Sequence, residues 1–394
     1  MSGTPVKIGV VAPLTGQRKR QGLGIVTSLE KYLTWETGKA LTGQRRPVEL
    51  VIEDDRSEPS LVADAVRRCL SAGALAIVGP SDSACAGVIA NHPDFAKVPF
   101  ILSFATRTAL LGPHQNELFR VTTPDFRRVM ILLRFIQQTV SGRDLTVFSL
   151  DDHPDSYASG LLDDLTKAAA DLDFHLNHVT FSIGQVDIPM DTGRHPVVIC
   201  APSHESTWLI EQLRSRRLPS PIYSFGSNRN YLRHSAVGTT LVCDIKYDDY
   251  NPIVQQYLQE ILGKDDAGEE VSLSSVLAMH VISQAVAALE QSHMQTIAES
   301  RAALSKILSV AEFQGPFGLV AFSKNREMIG HENISLVTVR RRGFTVYFGA
   351  PETLKVWGLH ARLKWQARLW EAIIIVSTIG GAVGLLQLAV QALG

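Results

Sequence analysis

The chain alternates short apolar runs with longer stretches whose apolar residues recur at helical spacing, and this rhythm constrains its fold most. The runs at 8–11, 48–52 and 75–78 have the length and composition of buried strands, whereas 23–37 and 60–72 have the period of amphipathic helices. Short, almost wholly apolar strands separated by helices are typical of parallel sheets that are covered on both faces. The sequence therefore predicts an α/β fold.

The same alternation continues past the middle of the chain. The remaining predicted strands are 98–103, 145–150 and 197–200, and the remaining predicted helices are 84–90, 126–140, 157–171, 205–216 and 271–290. The chain has 394 residues, which exceeds the usual size of one hydrophobic core, so two domains and an appendage are expected. The stretch before Pro124 and residues 249–252 are the places where the chain is expected to change lobes.

Composition and motifs argue against nucleic-acid binding and against catalysis. The formal net charge is −1, so no overall field attracts a polyanion. The glycine pattern at Gly22 begins like a dinucleotide fingerprint, but it ends in Thr27 and lies well beyond the first strand instead of at its turn. A phosphate loop, an HExxH zinc motif and a GxSxG elbow are missing from the sequence. We therefore expect no enzyme, no catalytic residue, no metal and no cofactor.

The cysteines and the strand-end carboxylates have simple structural interpretations. Four cysteines are too few for a disulfide framework and form no CxxC pair, so buried free thiols are expected at Cys69, Cys85, Cys200 and Cys243. Asp54, Asp55, Asp151 and Asp152 follow predicted strands, where carboxylates either hold a metal or, more often, cap the next helix.

The two ends of the sequence bear on localisation. No secretory signal precedes the first strand, and residues 372–394 contain no charged residue over 23 positions, enough to span a bilayer as a helix. Residues 351–371 are basic and rich in tryptophan, as on the cytoplasmic flank of a membrane span. This predicts a cytoplasmic body with a C-terminal transmembrane anchor. The alternative for the body is a periplasmic or extracellular location. The alternatives for residues 372–394 are a buried helix of an oligomer and a helix that lies on the membrane. Gly380 and Gly384 form a GxxxG pattern compatible with a homodimer.

Two loops that follow predicted strands carry hydroxyl groups. The first reads Gly79-Pro-Ser-Asp-Ser83 before a helix predicted to begin at Ala84, so Ser83 is expected to cap that helix and either to meet an anion or to do no more than cap. The second, at 104–108, is also small and hydroxylic. Open α/β sheets bind ligands at the carboxyl ends of their strands, so we expect a small polar ligand here.

The sequence resembles the type I periplasmic-binding-protein fold, in particular the branched-chain amino-acid-binding group and related receptor ligand-binding regions. The segments that carry the resemblance are Ile8-Gly-Val-Val-Ala-Pro-Leu-Thr-Gly16, Val51-Ile-Glu-Asp-Asp55 with Glu58-Pro59, Ile77-Val-Gly-Pro80, Val98-Pro-Phe-Ile-Leu-Ser-Phe-Ala-Thr106, Phe119-Arg120 and Phe313-Gln-Gly-Pro-Phe-Gly318. The resemblance implies two doubly wound parallel-sheet lobes, joined by three crossovers, that close on a ligand by a hinge. We place lobe 1 at 5–123 and 250–323, and lobe 2 at 124–249 and 324–350.

The resemblance also implies a set of ligand-binding residues. Ser83 matches a serine that binds a ligand carboxylate, Ala105 and Thr106 match a segment that grips the amino-acid backbone, and Tyr157 matches a tyrosine from the second lobe. The alternative for Tyr157 is that it packs at the start of its helix. The full predicted set is Gln21, Ser81, Ser83, Ala105, Thr106, Tyr157, Ser227 and Asn228.

Three departures from the family pattern affect the predicted ligand. No carboxylate stands near Ser227 and Asn228, where the family has an acidic partner for the ligand ammonium. Arg18, Lys19 and Arg20 crowd the first loop, which would suit a more anionic ligand if they are not solvated. A family cysteine pair would fall at Ser57 and Asp82, so that disulfide is absent, which fits a reducing compartment.

These observations favour a membrane-tethered sensor of an amino-acid-like or anionic metabolite that closes on its ligand and signals to a partner protein. The first alternative is an extracytoplasmic solute-binding receptor of an ABC-type amino-acid transporter. The second is a degenerate binding fold that acts as a protein-interaction scaffold.

Overall fold

The computed structural model describes residues 4–16, 18–39, 47–112, 117–225, 237–244, 260–261, 273–289, 296–315, 318–329, 334–340, 343–348 and 355–356. Within them, two large sheets and one small sheet organise the chain. The helices described in these ranges include none that is long and apolar enough to cross a membrane, and the predicted span 372–394 and its flank 351–371 fall almost wholly outside these ranges.

The first lobe, lobe 1, is built on a five-stranded sheet in the order β2-β1-β3-β4-β5, and all its pairings are parallel. Its strands are β1 (Val6–Ala12), β2 (Val48–Asp54), β3 (Ala76–Val78), β4 (Phe100–Leu102) and β5 (Leu118–Arg120). The central strands are apolar and fully buried, because helices cover both faces of the sheet. The predicted parallel α/β architecture is confirmed here.

Helices pack on both faces of the lobe 1 sheet. They are α1 (Lys19–Lys39), α2 (Pro59–Ser71), α3 (Ser83–Ala90), α7 (Leu273–Leu289) and α8 (Ile297–Val310). Residues of α1, α7 and α8 form one core cluster with the sheet, and residues of α2 and α3 form another on the opposite face. Two clusters on the two faces of one sheet are the mark of a doubly wound domain.

The second lobe, lobe 2, has a nine-stranded sheet that is mixed instead of parallel, in the order β17-β16-β15-β11-β10-β9-β6-β7-β8. Its strands are β6 (Asp144–Leu150), β7 (His175–Ser182), β8 (Gln185–Val186), β9 (Val197–Cys200), β10 (Ile222–Phe225), β11 (Thr239–Asp244), β15 (Ile334–Arg340), β16 (Gly343–Phe348) and β17 (Lys355–Val356). The strands β6, β7, β9, β10 and β11 are parallel, whereas the returning chain adds β15 to β17 as an antiparallel meander. The predicted parallel arrangement is thus confirmed for these five strands only. The strand β15 pairs antiparallel with β11, and β8, β16 and β17 each pair antiparallel with the strand before them in the chain.

The lobe 2 helices are α4 (Asp125–Thr139), α5 (Tyr157–Asp171) and α6 (Ser203–Ser215). Apolar residues of α4 and α5 pack with one face of the sheet, and those of α6 pack with the other. The start of α5 agrees with the sequence because Ser156 is its N-cap, and the Ser156 hydroxyl accepts from the Ser159 amide at 3.2 Å.

A small antiparallel sheet lies where the chain leaves lobe 1 for the last time. It consists of β12 (Phe313–Gly315), β13 (Gly318–Phe322) and β14 (Met328–Ile329), and its aromatic residues join the lobe 1 core. Arg120, which ends β5 just before the first crossing into lobe 2, pairs as an isolated parallel bridge with Glu327. Two of the segments that connect the lobes therefore lie side by side.

Candidate functional site

The lobe 1 side of the candidate site is formed where two neighbouring strands end. Val78 at the end of β3 pairs with Ile101 in β4, so the loops after these strands leave the sheet at the same edge. The first loop carries Ser81 and leads to Ser83, and the second carries Ala105 and Thr106. All four residues are buried, with exposed fractions of 5% or less. The structure thus brings these four predicted site residues to one edge of the sheet, where open α/β sheets bind ligands.

Asp82, and not Ser83, caps α3. The Asp82 carboxylate accepts from the amides of Ala84 at 2.8 Å and Cys85 at 3.4 Å, and Ser83 is the first residue of the helix. The prediction that Ser83 caps the helix is wrong by one residue, because the neighbouring carboxylate is the better acceptor at a positive helix end. Two of the amides that an anion would use are therefore already occupied.

Arg18 does not present a free positive charge to this edge. It forms an ion pair with Asp82, and Lys19 and Arg20 are exposed in the first turn of α1. Beneath them, Asp55 is wholly buried, and burial together with the charges of Asp82 and Asp54 raises the pKa of its carboxyl to about 6. The exposure of Lys19 and Arg20 agrees with the alternative that these side chains are solvated.

The strand-end carboxylates do not cap α2. Asp54 accepts from the amides of Leu14 and Arg56 at 2.8 and 2.9 Å, and Asp55 accepts from the amide of Ser57 at 2.9 Å. These bonds fold the two loops that follow β1 and β2. In the part of the chain that the structure describes, no group of three or more histidine, cysteine or acidic residues is arranged to hold a metal ion.

Two buried hydroxyls at this edge have unused hydrogen-bonding capacity. Within the described structure, Ser81 Oγ and Thr122 Oγ1 are buried and have no hydrogen-bond partner. Thr122 follows β5, whose register with β4 places it beside the same loops. Because an unpaired buried hydroxyl is costly, these two groups are candidates to bind a ligand. Sequence reasoning missed Thr122, although the neighbouring Phe119-Arg120 motif marked its segment.

The loop after β4 is held from inside by Arg120 and Asp125. The Arg120 guanidinium, which has no exposed surface, donates to the carbonyls of Thr106 and Arg107, each at 2.8 Å. Thr106 Oγ1 donates to Asp125 Oδ2 at 3.0 Å, and the Asp125 amide donates back to the Thr106 carbonyl at 2.9 Å. The hydrogen of the Thr106 hydroxyl is therefore used within the protein, so this group can act toward a ligand only as an acceptor.

Lobe 2 meets this loop through the segment before Tyr157. Arg107 Nη1 donates to Asp155 Oδ1 at 2.7 Å, which joins the loop after β4 to the loop after β6. The short turn at 108–110 packs against both α3 and α5. Tyr157 is the first residue of α5, is half-buried, and packs partly on the lobe 2 core, as its alternative interpretation holds.

Comparisons with known proteins agree with this architecture. A family model described as periplasmic binding protein matches residues 5–191. The leucine binding protein LivK of Thermotoga maritima is 20% identical over 86% of this chain and 97% of its own, with a TM-score of 0.72. LivJ of Streptococcus pneumoniae, a branched-chain amino acid transporter substrate binding protein in complex with isoleucine, is 16% identical over 90% and 99%, with a TM-score of 0.70.

A solute binding protein of an ABC transporter from R. palustris, in complex with benzoate, is 16% identical and has a TM-score of 0.71, over 90% of this chain and 98% of its own. No curated protein matches the sequence. The chain has the type I periplasmic-binding-protein fold. The resemblance that the sequence motifs indicated is confirmed.

The remaining predicted site residues are Gln21, Ser227 and Asn228. Gln21 lies in the first turn of α1 and is half-buried; Ser227 and Asn228 lie outside the described residues. A surface cavity of about 210 Å³ lies at the opposite edge of the lobe 2 sheet, where its strands begin. It is lined by residues 140–142, 144, 193–196 and 219–221. It is therefore not part of the candidate site.

The three cysteine side chains that the structure describes are packed in the hydrophobic cores. Cys69, Cys85 and Cys200 are buried and free, as predicted, and the Cys243 side chain lies outside the described part of the structure. Burial raises the pKa of each of the three thiols, to about 12 for Cys69. These cysteines are packing residues and carry little thiolate near neutral pH.

Proposed function

We propose that this chain is an extracytoplasmic solute-binding receptor that delivers a small polar molecule to an ABC-type transporter. The observation that carries the proposal is the contact between the loop after β4 in lobe 1 and the loop after β6 in lobe 2, made by Arg107 and Asp155. The carboxyl ends of strands from both lobes therefore face one region, where a solute is contacted from two sides. This role needs no catalytic residue and no cofactor.

The proposed ligand is a small carboxylate with an apolar part. The structural neighbours bind isoleucine or benzoate, and both of these compounds carry one carboxylate. In this chain Asp82 fills the helix N-terminus and pairs with Arg18, so the carboxylate is bound by the hydroxyls of Ser81 and Ser83 and by the loop at Ala105 and Thr106. Tyr157 contributes from lobe 2 and Gln21 covers the ligand from α1.

A thermal-shift titration tests the proposal. Leucine, isoleucine, valine, benzoate and glutamate are added separately to the full chain, and the unfolding transition is followed. A ligand at 100 times its Kd should stabilise the native state by about 2.7 kcal/mol. The result that supports the proposal is a saturable shift with at least one monocarboxylate and a smaller one with glutamate; no shift with any of the five would reject this ligand class.

Variants locate the binding site. Ser83→Ala with Thr106→Ala should abolish the ligand-induced shift, because it removes both hydroxyl groups assigned to the ligand. The unliganded chain also loses the hydrogen bond from Thr106 to Asp125 and should be less stable by about 1 kcal/mol. Ser215→Ala, at the exposed C-terminal end of α6 and away from the carboxyl ends of the lobe 2 strands, is the matched control. An unchanged ligand response in the double variant would reject these residues as the site.

A second candidate function is the membrane-tethered sensor that signals to a partner protein. The observation in its favour is the uncharged stretch 372–394 with its basic, tryptophan-rich flank. A chain without residues 372–394 should leave the membrane fraction, and a reporter that is active only outside the cytoplasm, fused before Thr4, should stay dark. A bright reporter would favour the transport receptor instead.

A further inference from the structure

Three successive residues of lobe 1 each donate to a different aspartate of lobe 2. The three bonds are Thr106 Oγ1 to Asp125 Oδ2 at 3.0 Å, Arg107 Nη1 to Asp155 Oδ1 at 2.7 Å and Thr108 Oγ1 to Asp164 Oδ2 at 2.6 Å. The Thr108 hydroxyl also accepts from the Phe126 amide at 2.9 Å. Residues 106–108 therefore form a strap across the junction of the two lobes.

The three bonds of the strap differ in their exposure to water. Asp125 is wholly buried and Asp164 is 5% exposed, whereas the Asp155 side chain is 60% exposed. A buried, charge-assisted hydrogen bond is strong and slow to break, but an exposed ion pair breaks and reforms easily. The inner bonds therefore act as a fixed joint, and the outer Arg107–Asp155 bond is the one that opens.

Each partner of the outer bond is close in sequence to a predicted site residue. Arg107 directly follows Thr106, and Asp155 stands two residues before Tyr157. The Arg107 side chain reaches Asp155 by crossing α5 at Gly160, where an added Cβ would lie 2.7 Å from Arg107 Cγ. A glycine at this position is therefore what allows the arginine to lie against the helix.

We propose that the Arg107–Asp155 ion pair is a latch that holds the two lobes together at the mouth of the cleft when no ligand is bound. The location of the cleft rests on the proposed function, but the latch is a property of the unliganded chain. Opening the latch exposes the loop after β4 and the start of α5 together, and a ligand enters through that opening. The latch thus sets the fraction of molecules that is open to ligand, and the apparent affinity scales with that fraction.

Hydrogen exchange of the unliganded full chain, read by mass spectrometry, tests the latch. Asp155→Asn removes the charge of one partner, and peptides that cover 104–112 and 153–163 should then exchange about two- to fivefold faster, the effect expected for one exposed ion pair. The matched control is Asp152→Asn in the same loop, whose carboxylate accepts from the amide of its neighbour His153. Exchange in the control should equal that of the wild type.

Two further measurements separate a latch from a local loop contact. Gly160→Ala displaces Arg107 without changing a charge, and it should accelerate both peptides as Asp155→Asn does. Raising the NaCl concentration should accelerate exchange in the wild type and have little further effect in Asp155→Asn, because salt screens an exposed pair. Wild-type exchange in Asp155→Asn, or acceleration of the 153–163 peptide alone, would overturn the latch. A failed thermal-shift panel would leave these results unaffected and reject only the proposed function.

Discussion

Arg120 and Thr106, which both lie in lobe 1, are joined by a 2.8 Å hydrogen bond from a wholly buried guanidinium to a backbone carbonyl. The same guanidinium donates to Arg107 and lies 3.6 Å from Glu327 on the last segment that connects the lobes. One side chain therefore links the candidate site loop with two of the connections between the lobes.

Arg120→Ala should be strongly destabilising. The change leaves the Arg107 carbonyl and the largely buried Glu327 without the guanidinium, whereas the Thr106 carbonyl keeps the Asp125 amide. Breaking a buried pair on one side typically costs about 3–5 kcal/mol. Urea unfolding measures the loss. Arg134→Ala, on the half-exposed side of α4, is the control and should change the unfolding free energy by less than about 1 kcal/mol. Equal losses in the two variants would contradict the role given to Arg120.

Asp55 should make the chain less stable as the pH rises. Burial raises the pKa of its carboxyl from 3.8 to about 6, so the native state binds the proton more tightly than the unfolded state does. Its contribution to stability is full below pH 4 and is lost as the pH rises through 6, a change of about 2–3 kcal/mol. Asp55→Asn should raise the unfolding free energy at pH 7.5 and flatten its pH dependence.

Asp54→Asn is the natural comparison, because the pKa of Asp54 is lowered in the native state whereas that of its neighbour Asp55 is raised. Burial acts to raise the pKa of Asp54, but hydrogen bonds from Thr15, Arg56 and Leu14 outweigh it and lower the pKa. The ionised Asp54 therefore stabilises the native state above pH 4, and Asp54→Asn should lower the unfolding free energy at pH 7.5. If the unfolding free energy at pH 7.5 changed in the same direction in Asp54→Asn and Asp55→Asn, the environments assigned to the two carboxyl groups would be contradicted.

Ser81→Ala separates a binding role from a structural one. Ser81 Oγ makes no hydrogen bond within the described structure, so its removal should leave the unliganded chain as stable as before or up to about 1 kcal/mol more stable. Ligand-induced stabilisation should nevertheless fall. Ser206→Ala is the control: that hydroxyl donates to the Ala201 carbonyl at 2.9 Å, so its loss should cost about 1 kcal/mol and leave ligand binding intact. Strong destabilisation by Ser81→Ala would contradict this assignment.

Gly22 and Gly87 are both helical but should respond to alanine in opposite ways. A Cβ at Gly22 would lie 2.0 Å from the Pro13 carbonyl oxygen, whereas a Cβ at Gly87 would meet nothing within 4 Å. Gly22→Ala should therefore destabilise the chain by about 1–3 kcal/mol, and Gly87→Ala should stabilise it by about 0.5–1 kcal/mol. Thermal unfolding checks both. Destabilisation by Gly22→Ala would show that this glycine is needed where α1 packs against the backbone at Pro13.

Most of lobe 1 could be predicted from the sequence, because its strands are short apolar runs with helical neighbours. In lobe 2, the predicted helix 157–171 and the predicted strand 197–200 match α5 and β9 in full. The strand β7 was missed, since it lies near the sheet edge and most of its residues are exposed, which removes the apolar signal. The small sheet β12–β14 was missed because its strands are only two to five residues long.

The candidate site was less predictable than the fold. Strand ends and hydroxyl-rich loops located Ser81, Ser83 and Thr106, because topology alone brings the ends of neighbouring parallel strands together. Sequence patterns do not reveal which partner a polar group chooses, so the Asp82 cap was assigned to Ser83 and the Thr106 bond to Asp125 was missed. These choices depend on side chains that are distant in sequence.

The most direct test of the account is a calorimetric titration of the stabilising ligand into single and double variants of the two lobes. Ser83→Ala in lobe 1 and Tyr157→Ala in lobe 2 should each weaken binding by about tenfold, which is the effect of one lost hydrogen bond or contact. Because both groups touch one solute, the loss of binding free energy in the double variant should differ from the sum of the losses in the two single variants. Wild-type affinity in both single variants would contradict a ligand held between the lobes.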